Sequence, residues 1–369
     1  MKTKLFINLS FSFYFIKSFL PFINLINETI TDTKTIYIYG HINPDSDAIL
    51  SPIVLADFEK KIGNPNDIIP CRLGEINKET QYALNFFKIK APTLITESEL
   101  TEANEVYLVD HNSPSQSLDF QKAKIVRLID HHAITGFETT DPIDIITRPV
   151  GCTCTILYQF YKQNNITISK TIAGLIISAI ISDTLLLKSP ITTQEDINVV
   201  KILAEEIGMD YENYGYSMLE AGTDVSDLSE SEIINLDSKA YKVNGYMIQI
   251  AFVNSMNVDE LLYRKKELLN EIDDFISKKH LQLFVLVMVN IIDLDSTILV
   301  NGTLANVVKS AFNVNLTNNQ AFLPGISSRK KEVYPNIAKI INQLPEYING
   351  FNWANFNIFL LIITLVMLI

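Results

Sequence analysis

Three short runs of β-branched and aromatic residues in the first half of the chain are each followed at once by aspartate and histidine. The runs span 35–39, 105–109 and 125–129, and longer helical patterns separate them. This alternation is typical of βαβ units built around a parallel sheet. Ligands bind outside the carboxyl ends of the strands in open α/β sheets. The sequence therefore predicts an α/β fold whose strands deliver Asp and His side chains to one edge.

The segments after these runs carry a chemically coherent set of side chains. They read HINPDSD at 41–47, DHN at 110–112 and DHH at 130–132, and an apolar helical stretch at 171–182 ends at Asp183. Carboxylate oxygen and imidazole nitrogen suit divalent manganese, iron, cobalt or zinc. Two such ions about 3.5–4 Å apart can hold a hydroxide between them and clamp an in-line phosphoryl displacement. We expect Asp110 to be the bridging ligand, because its strand lies in the middle of the group.

Each segment also has a simpler reading. Asp45 or Asp47 could cap a helix that begins near Ala48, since Asp is a favoured N-cap residue. The DHN segment could be an ordinary turn, and one histidine of DHH could be a core residue. Chance would have to place carboxylates and imidazoles after several strands at once, and four of the five histidines lie in these segments. The metal site is therefore the better hypothesis.

The second half of the chain indicates a second, smaller α/β domain. Small and turn-prone residues cluster in AGTDVSDL at 221–228, which we interpret as a linker. We expect strands at 246–253, 282–289 and 297–301, and helical patterns at 258–279 and 303–312. The predicted organisation is an apolar segment at 1–32, a catalytic domain at 33–220, the linker at 221–228, a substrate-binding domain at 229–345 and an apolar tail at 346–369.

Composition limits the classes of function. The chain has 369 residues, 47% of them hydrophobic, which is enough for two domains with cores. The net charge of -12 argues against nucleic acid as a partner, although it does not exclude a small anion in a metal-lined cleft. Three cysteines imply no disulfide framework.

Both ends of the chain are apolar. The first 27 residues hold three lysines and no acidic residue, which resembles a signal peptide or signal anchor. The last 12 residues read IFLLIITLVMLI, which is shorter than the ~20 residues that a spanning helix needs. A tail anchor, a glycolipid-anchor signal and a packed terminal helix all fit this tail, so membrane association is one alternative.

The ordered motifs resemble the DHH phosphoesterase superfamily, and within it the manganese-dependent (family II) inorganic pyrophosphatases. Five further stretches are similar to that family: 71–87, 149–158, 178–190, 236–241 and 325–331. The resemblance covers roughly residues 33–340. It implies a DHH-type catalytic domain with a parallel-sheet core, a smaller C-terminal α/β domain and an active site in the cleft between them.

The resemblance also implies roles for individual residues. One Mn²⁺ would be held by His41, Asp45 and Asp110, and the second by Asp47, Asp110, His131 and Asp183. The catalytic residues would be Asp110, His132, Lys239, Arg329 and Lys330, and the last four would also bind the substrate. Alone, the Arg329-Lys330-Lys331 run is better read as a solvated basic run. The metal site favours phosphate binding instead, and Arg329 can grip two phosphate oxygens with its planar fork.

The implied reaction is hydrolysis of pyrophosphate by a hydroxide that bridges two Mn²⁺ ions. Co²⁺ would substitute for Mn²⁺, and Mg²⁺ would arrive with the substrate. A homodimer and a cytoplasmic location are further family expectations. The first alternative is another phosphohydrolase of the superfamily. An exopolyphosphatase needs a longer basic channel, and an oligonucleotide phosphodiesterase usually has a Gly- and His-containing motif where this chain has Ser-Arg-Lys. The second alternative is a non-catalytic, membrane-tethered metal-binding module.

Overall fold

The computed structural model describes residues 33–101, 104–119 and 122–347. The predictions for the two apolar termini therefore lie outside the described residues. Within the described ranges, no helix is long and apolar enough to cross a membrane. The described residues form two compact units, one from 33–75 together with those of 91–176, and the other from 76–90 together with 177–347.

The described residues form eleven β-strands and eleven α-helices. The strands are β1 Thr35–Tyr39, β2 Asp67–Arg72, β3 Thr93–Leu94, β4 Glu105–Val109, β5 Lys124–Asp130, β6 Asp144–Thr147, β7 Asp237–Val243, β8 Tyr246–Ser255, β9 Leu283–Asn290, β10 Asp295–Asn301 and β11 Gln320–Leu323. The α-helices are α1 Ser46–Lys61, α2 Lys78–Phe86, α3 Thr153–Gln163, α4 Lys170–Asp183, α5 Gln194–Ile207, α6 Tyr211–Thr223, α7 Glu230–Asn235, α8 Val258–Tyr263, α9 Lys265–Lys279, α10 Ala305–Phe312 and α11 Tyr334–Ile341.

The first unit contains a six-stranded sheet in the order β3-β2-β1-β4-β5-β6, in which every neighbouring pair is parallel. The predicted α/β fold with a parallel-sheet core is confirmed, and the three runs that prompted it are β1, β4 and β5. Their side chains are mostly buried, because helices cover both faces of a parallel sheet. Burying one such Ile or Leu contributes about 1.5–3 kcal/mol.

Strand register determines which loops become neighbours. Tyr39 pairs with Leu108, and Val109 pairs with Ile129, so β1, β4 and β5 end at the same edge of the sheet. The segments that begin at residues 40, 110 and 130 therefore leave the sheet side by side. Parallel pairing of buried strands is what positions the candidate site.

The second unit contains a five-stranded mixed sheet in the order β11-β10-β9-β8-β7. Only β8 and β9 are parallel neighbours; the other three pairs are antiparallel. One face packs on α10 and α11 and the other on α7 and α9, and each face carries its own apolar cluster. The second α/β domain predicted from the sequence is confirmed.

The structure differs from the expected single helix at 258–279. Helix α8 ends at Tyr263 and α9 begins at Lys265, with Arg264 between them. The Arg264 guanidinium donates to Glu230 at 2.9 and 2.7 Å and to the backbone oxygen of Leu228 at 2.6 Å. These bonds hold the partly buried Arg264 side chain at the break between the two helices. The spacing of apolar residues carries no sign of them.

Candidate metal centre

The segment after β1 places two carboxylates at the start of α1. Asp45 is the N-cap residue, and its Oδ1 accepts a hydrogen bond from the backbone N–H of Ala48 at 3.0 Å. Its other oxygen, Oδ2, lies 3.4 Å from Nε2 of His41. The capping interpretation and the ligand interpretation of Asp45 are therefore compatible, because each uses a different oxygen.

Asp110 lies between two histidines at the end of β4. Its Oδ2 is 3.5 Å from Nε2 of His41, and its Oδ1 is 3.2 Å from Nε2 of His131. The backbone of Asp110 is left-handed, with φ of 60°, and its N–H donates to the oxygen of Ile129 at 3.0 Å. A non-glycine residue in this region is strained, and such strain concentrates at functional positions.

Both histidines present Nε2 to Asp110 because Nδ1 is occupied elsewhere. Nδ1 of His41 lies 3.0 Å from the backbone oxygen of Ile42, and Nδ1 of His131 lies 3.1 Å from that of Val150. A backbone carbonyl at Nδ1 selects the tautomer with a free Nε2 lone pair, which is the usual arrangement for a metal-binding histidine.

The carboxylates and imidazoles of the described residues form three overlapping groups of possible ligand atoms, and within each group the atoms lie within 4.8 Å of one another. The first group is His41, Asp45 and Asp110, the second includes Asp47, Asp110 and His131, and the third is Asp110, His131 and His132. Asp47 is fully buried, and its Oδ1 accepts no hydrogen bond from the described residues. A buried carboxylate oxygen without a donor is costly unless a cation compensates it, so the donor set fits Mn²⁺.

In the first group, His41 and Asp45 shift each other's pKa. Burial lowers the pKa of His41, but the hydrogen bond and charge of Asp45 outweigh it and the pKa is raised. Burial raises the pKa of Asp45, but the hydrogen bond and charge of His41 prevail and the pKa is lowered. The metal-free site thus favours an ionised Asp45, the form that binds metal, whereas a proton on His41 would have to leave when a metal binds.

His132 belongs to the same edge but faces solvent more than His131 does. Its side chain is 54% exposed, against 8% for His131, and its Nδ1 lies 2.9 Å from Oδ1 of Asp130. Asp130 is itself fixed by Asn112, whose Nδ2 donates to Asp130 Oδ2 at 2.6 Å. A side chain held in this way and open to solvent can contact a bound substrate.

Two features of the site were not anticipated. Thr153, at the start of α3, hydrogen-bonds both Asp47 and Asp110. Cys152 and Cys154 offer sulfur atoms within 4.8 Å of an Asp47 oxygen. The sequence signal for both is the 149–158 stretch, which indicates the family resemblance but no role for these residues.

Asp183, the remaining expected ligand, is the last residue of α4. The division between the two compact units passes through this helix after Ile176, so Asp183 belongs to the second unit. Leu185, Leu186 and Leu187 follow it with φ of 46°, 55° and 63°. Three successive left-handed leucines are unusual, because each costs about 1–2 kcal/mol. The ligand role of Asp183 stays a prediction.

The expected phosphate-binding cations lie in the second unit. Arg329 and Lys330 line a cleft of about 880 Å³, together with Ser327, Ser328 and Asn254 among others. The guanidinium of Arg329 is fixed by Asp237, with Nη1 at 2.8 Å from its backbone oxygen and 2.7 Å from Oδ1. The structure therefore brings two of the three cations to one concave surface.

Lys239 is placed differently. It lies on β7, where its Nζ is 5.6 Å from the ring centre of Tyr241, and it is not among the residues that line the cleft. A flexible four-carbon side chain can reach several positions, so its phosphate-binding role also stays a prediction.

Comparison with known proteins agrees with this organisation. Residues 35–180 match the model of the DHH family N-terminal domain, and residues 216–340 match the DHHA2 domain. The chain is 46% identical over 303 residues to the manganese-dependent inorganic pyrophosphatase of Bacillus subtilis, covering 82% of this chain and 97% of that one. An Enterococcus faecalis relative, named as a probable manganese-dependent inorganic pyrophosphatase, is 44% identical over 308 residues, which cover 83% of this chain and 99% of that one.

A solved structure gives the same result. A Methanococcus jannaschii protein assigned to the family II inorganic pyrophosphatases is 36% identical, with a TM-score of 0.55, and the match covers 83% of this chain and 99% of that one. With relatives matched over nearly their full length and both family domains in order, the chain belongs to the manganese-dependent (family II) inorganic pyrophosphatases.

Proposed function

We propose that this protein hydrolyses inorganic pyrophosphate to two phosphates at a manganese centre on the carboxyl edge of the parallel sheet. The observation that carries the proposal is the position of Asp110, whose two carboxylate oxygens lie 3.5 and 3.2 Å from Nε2 of His41 and His131. A carboxylate shared between two ligand groups can bind both of two neighbouring divalent ions.

The proposed ligands follow the first two groups. His41, Asp45 and Asp110 would hold one Mn²⁺, and Asp47, Asp110, His131 and Asp183 would hold the other. The metal, when bound, would supply Lewis acidity, which polarises phosphoryl oxygens and lowers the pKa of water so that hydroxide is available as the nucleophile near neutral pH. Co²⁺ in place of Mn²⁺ and Mg²⁺ carried by the substrate belong to the same proposal.

The side chains of the protein bind and orient the substrate. Pyrophosphate is small and highly charged, so it needs positive groups on several sides. We assign this role to Lys239, Arg329 and Lys330, with Arg329 held ready by Asp237. His132, whose ring is held by its hydrogen bond to Asp130, is placed to form a hydrogen bond with a phosphate oxygen.

The test is phosphate release by the purified full-length protein with added Mn²⁺. Pyrophosphate, long-chain polyphosphate and a dinucleotide are offered in parallel, and selective turnover of pyrophosphate is expected. Preference for either of the other two substrates would move the protein to a sister function with the same metal chemistry. Stoichiometric Mn²⁺ binding without any phosphate release would indicate a non-catalytic metal-binding module.

Substitutions of the proposed ligands test whether the activity depends on the metal centre. Asp110→Asn tolerates the left-handed backbone that the position requires, since Asn adopts it readily, yet loses the charge. We expect it and His131→Gln to lose nearly all turnover. His280→Asn is the matched control, because His280 also has a left-handed backbone, at φ of 54°, but lies in the second unit at the end of α9. The homodimer stays a prediction, which sedimentation velocity would check.

A further inference from the structure

Thr153 is bonded to two of the carboxylates proposed to hold manganese. Its backbone N–H donates to Oδ2 of Asp47 at 2.7 Å, and its hydroxyl Oγ1 donates to Oδ1 of Asp110 at 3.3 Å. All three residues are at most 1% exposed. Bonds of this kind, sheltered from water, orient their acceptors more strongly than surface bonds do.

The three residues come from three different elements. Asp47 lies in the first turn of α1, Asp110 follows β4, and Thr153 is the first residue of α3. The N–H groups in the first turn of a helix have no partner within the helix, and its N-terminus carries partial positive charge. The start of α3 is thus suited to face carboxylates.

We propose that Thr153 is a positioning residue that holds Asp47 and Asp110 in the orientation needed to bind two metal ions. This inference rests on the proposed function, but it concerns metal affinity and can be judged without turnover. The Oδ2 of Asp47 is engaged by Thr153, which leaves its Oδ1, the atom without a hydrogen-bond donor among the described residues, to face a cation. Partners of this kind typically affect metal affinity 10- to 100-fold.

The two bonds differ in expected weight. At 2.7 Å the N–H bond to Asp47 is short and charge-assisted, whereas 3.3 Å is long for a hydroxyl donor. We therefore expect the N–H to contribute more than the hydroxyl. Side-chain variants alone cannot test the N–H, because it belongs to the backbone.

Proline can remove the N–H without breaking the helix. Thr153 occupies the first helical position, which proline favours because its N–H is not used within the helix. The preceding residue, Cys152, has φ of -159° and ψ of 144°, an extended conformation that is compatible with a following proline. Thr153→Pro therefore deletes both bonds, and Thr153→Val deletes the hydroxyl bond alone.

The experiment measures the Kd for Mn²⁺ of the full chain, from the electron paramagnetic resonance signal of free Mn²⁺. We expect Thr153→Val to weaken binding about 10-fold and Thr153→Pro to weaken it further, towards 100-fold. Thr153→Ser restores the hydroxyl and should bind within about two-fold of the natural protein. Thr155→Val removes an equally buried threonine hydroxyl from the same helix and should leave the Kd unchanged.

Three results would overturn the proposal. These are unchanged Mn²⁺ affinity in both Thr153→Val and Thr153→Pro, failure of Thr153→Ser to restore affinity, and an equal loss in Thr155→Val, which would indicate general loosening of α3. Thermal unfolding without metal shows whether each variant folds. If the natural protein binds Mn²⁺ but releases no phosphate, the proposed function fails. The Mn²⁺ affinities of the Thr153 variants would still show whether Thr153 positions the two carboxylates.

Discussion

The Nδ1 atom of His132 lies 2.9 Å from Oδ1 of Asp130, and the backbone N–H of His132 donates to the same oxygen at 3.1 Å. Asp130 thus fixes both the ring and the backbone of His132. Asp130 is fully buried, and the hydrogen bonds from His132 and Asn112 outweigh the effect of burial and lower its pKa. An ionised, immobile carboxylate is therefore paired with a half-exposed imidazole.

Replacing Asp130 by Asn should lower the pKa of His132. The hydrogen bond to the Asp130 carboxylate is the main cause of the raised pKa, and Asn offers a neutral acceptor instead. The pair stabilises the folded protein fully between the pKa values of about 3.9 and 6.5 of unfolded aspartate and histidine. This stabilisation is lost as pH rises through the raised pKa of His132 or falls through the lowered pKa of Asp130. NMR titration of the metal-free protein measures the shift; an unchanged His132 pKa in Asp130→Asn would contradict it.

Manganese should stabilise the folded protein, and Asp47 should be needed for this. A ligand that binds only the native state at 100 times its Kd adds about 2.7 kcal/mol to the free energy of unfolding. Differential scanning calorimetry with and without Mn²⁺ should show a raised melting temperature that a chelator reverses. Asp47→Asn should lose most of this rise, whereas Asp67→Asn, an exposed position on β2, should keep it. An equal rise in both variants would argue against Asp47 as a ligand.

Arg329 should contribute mainly to substrate binding. Because a hydrogen bond to a charged group is worth about 1.5–3 kcal/mol, Arg329→Ala should reduce kcat/KM for pyrophosphate about 10- to 100-fold with Mn²⁺ affinity unchanged. Arg329→Lys should recover only part of this, since it keeps the charge but not the planar fork. Lys331→Ala is the control, an exposed cation in the same run. Steady-state kinetics would refute the role if Arg329→Ala and Lys331→Ala behaved alike.

The cysteines should be unreactive in the native protein. Cys71, Cys152 and Cys154 are all fully buried, and burial raises the pKa of the Cys71 thiol to about 12. Because the thiolate is the reactive form, 5,5′-dithiobis(2-nitrobenzoic acid) should modify no thiol at pH 8 until denaturant is added, and then all three. Rapid modification before unfolding would show that the interior opens, around β2 if Cys71 reacts and around the start of α3 if Cys152 or Cys154 reacts.

Much of the fold was predictable because its signals are local. Buried parallel strands read as β-branched runs, so β1, β4 and β5 were identified within one residue of their ends. The edge strand β6 was missed, because three of its four residues are exposed and four residues carry too short a pattern. The break at Arg264 was missed because it is set by bonds to residues more than 30 positions away.

The candidate site was predictable in its residue types but not in its geometry. The sequence identified Asp110, but its left-handed backbone and its place between His41 and His131 follow from strand order and register. Thr153 could not be found in this way, since a threonine at a helix start is ordinary until its two acceptors are brought to it by α1 and β4.

Gly40 should contribute to both stability and Mn²⁺ binding, because it allows β1 and α1 to approach closely. A Cβ added to it would lie 2.6 Å from Cβ of Ala48 and as close to the backbone of that residue. Such overpacking typically costs about 1–3 kcal/mol. Since His41 is the next residue, we expect Gly40→Ala to lower both the free energy of urea unfolding and the affinity for Mn²⁺.

Gly63→Ala is the control. Gly63 has a left-handed backbone, with φ of 79°, but a Cβ added there meets nothing within 4 Å. This variant should cost about 1 kcal/mol of stability and leave Mn²⁺ binding unchanged. If Gly40→Ala bound Mn²⁺ as well as Gly63→Ala does, the close approach of β1 and α1 would not be what positions His41.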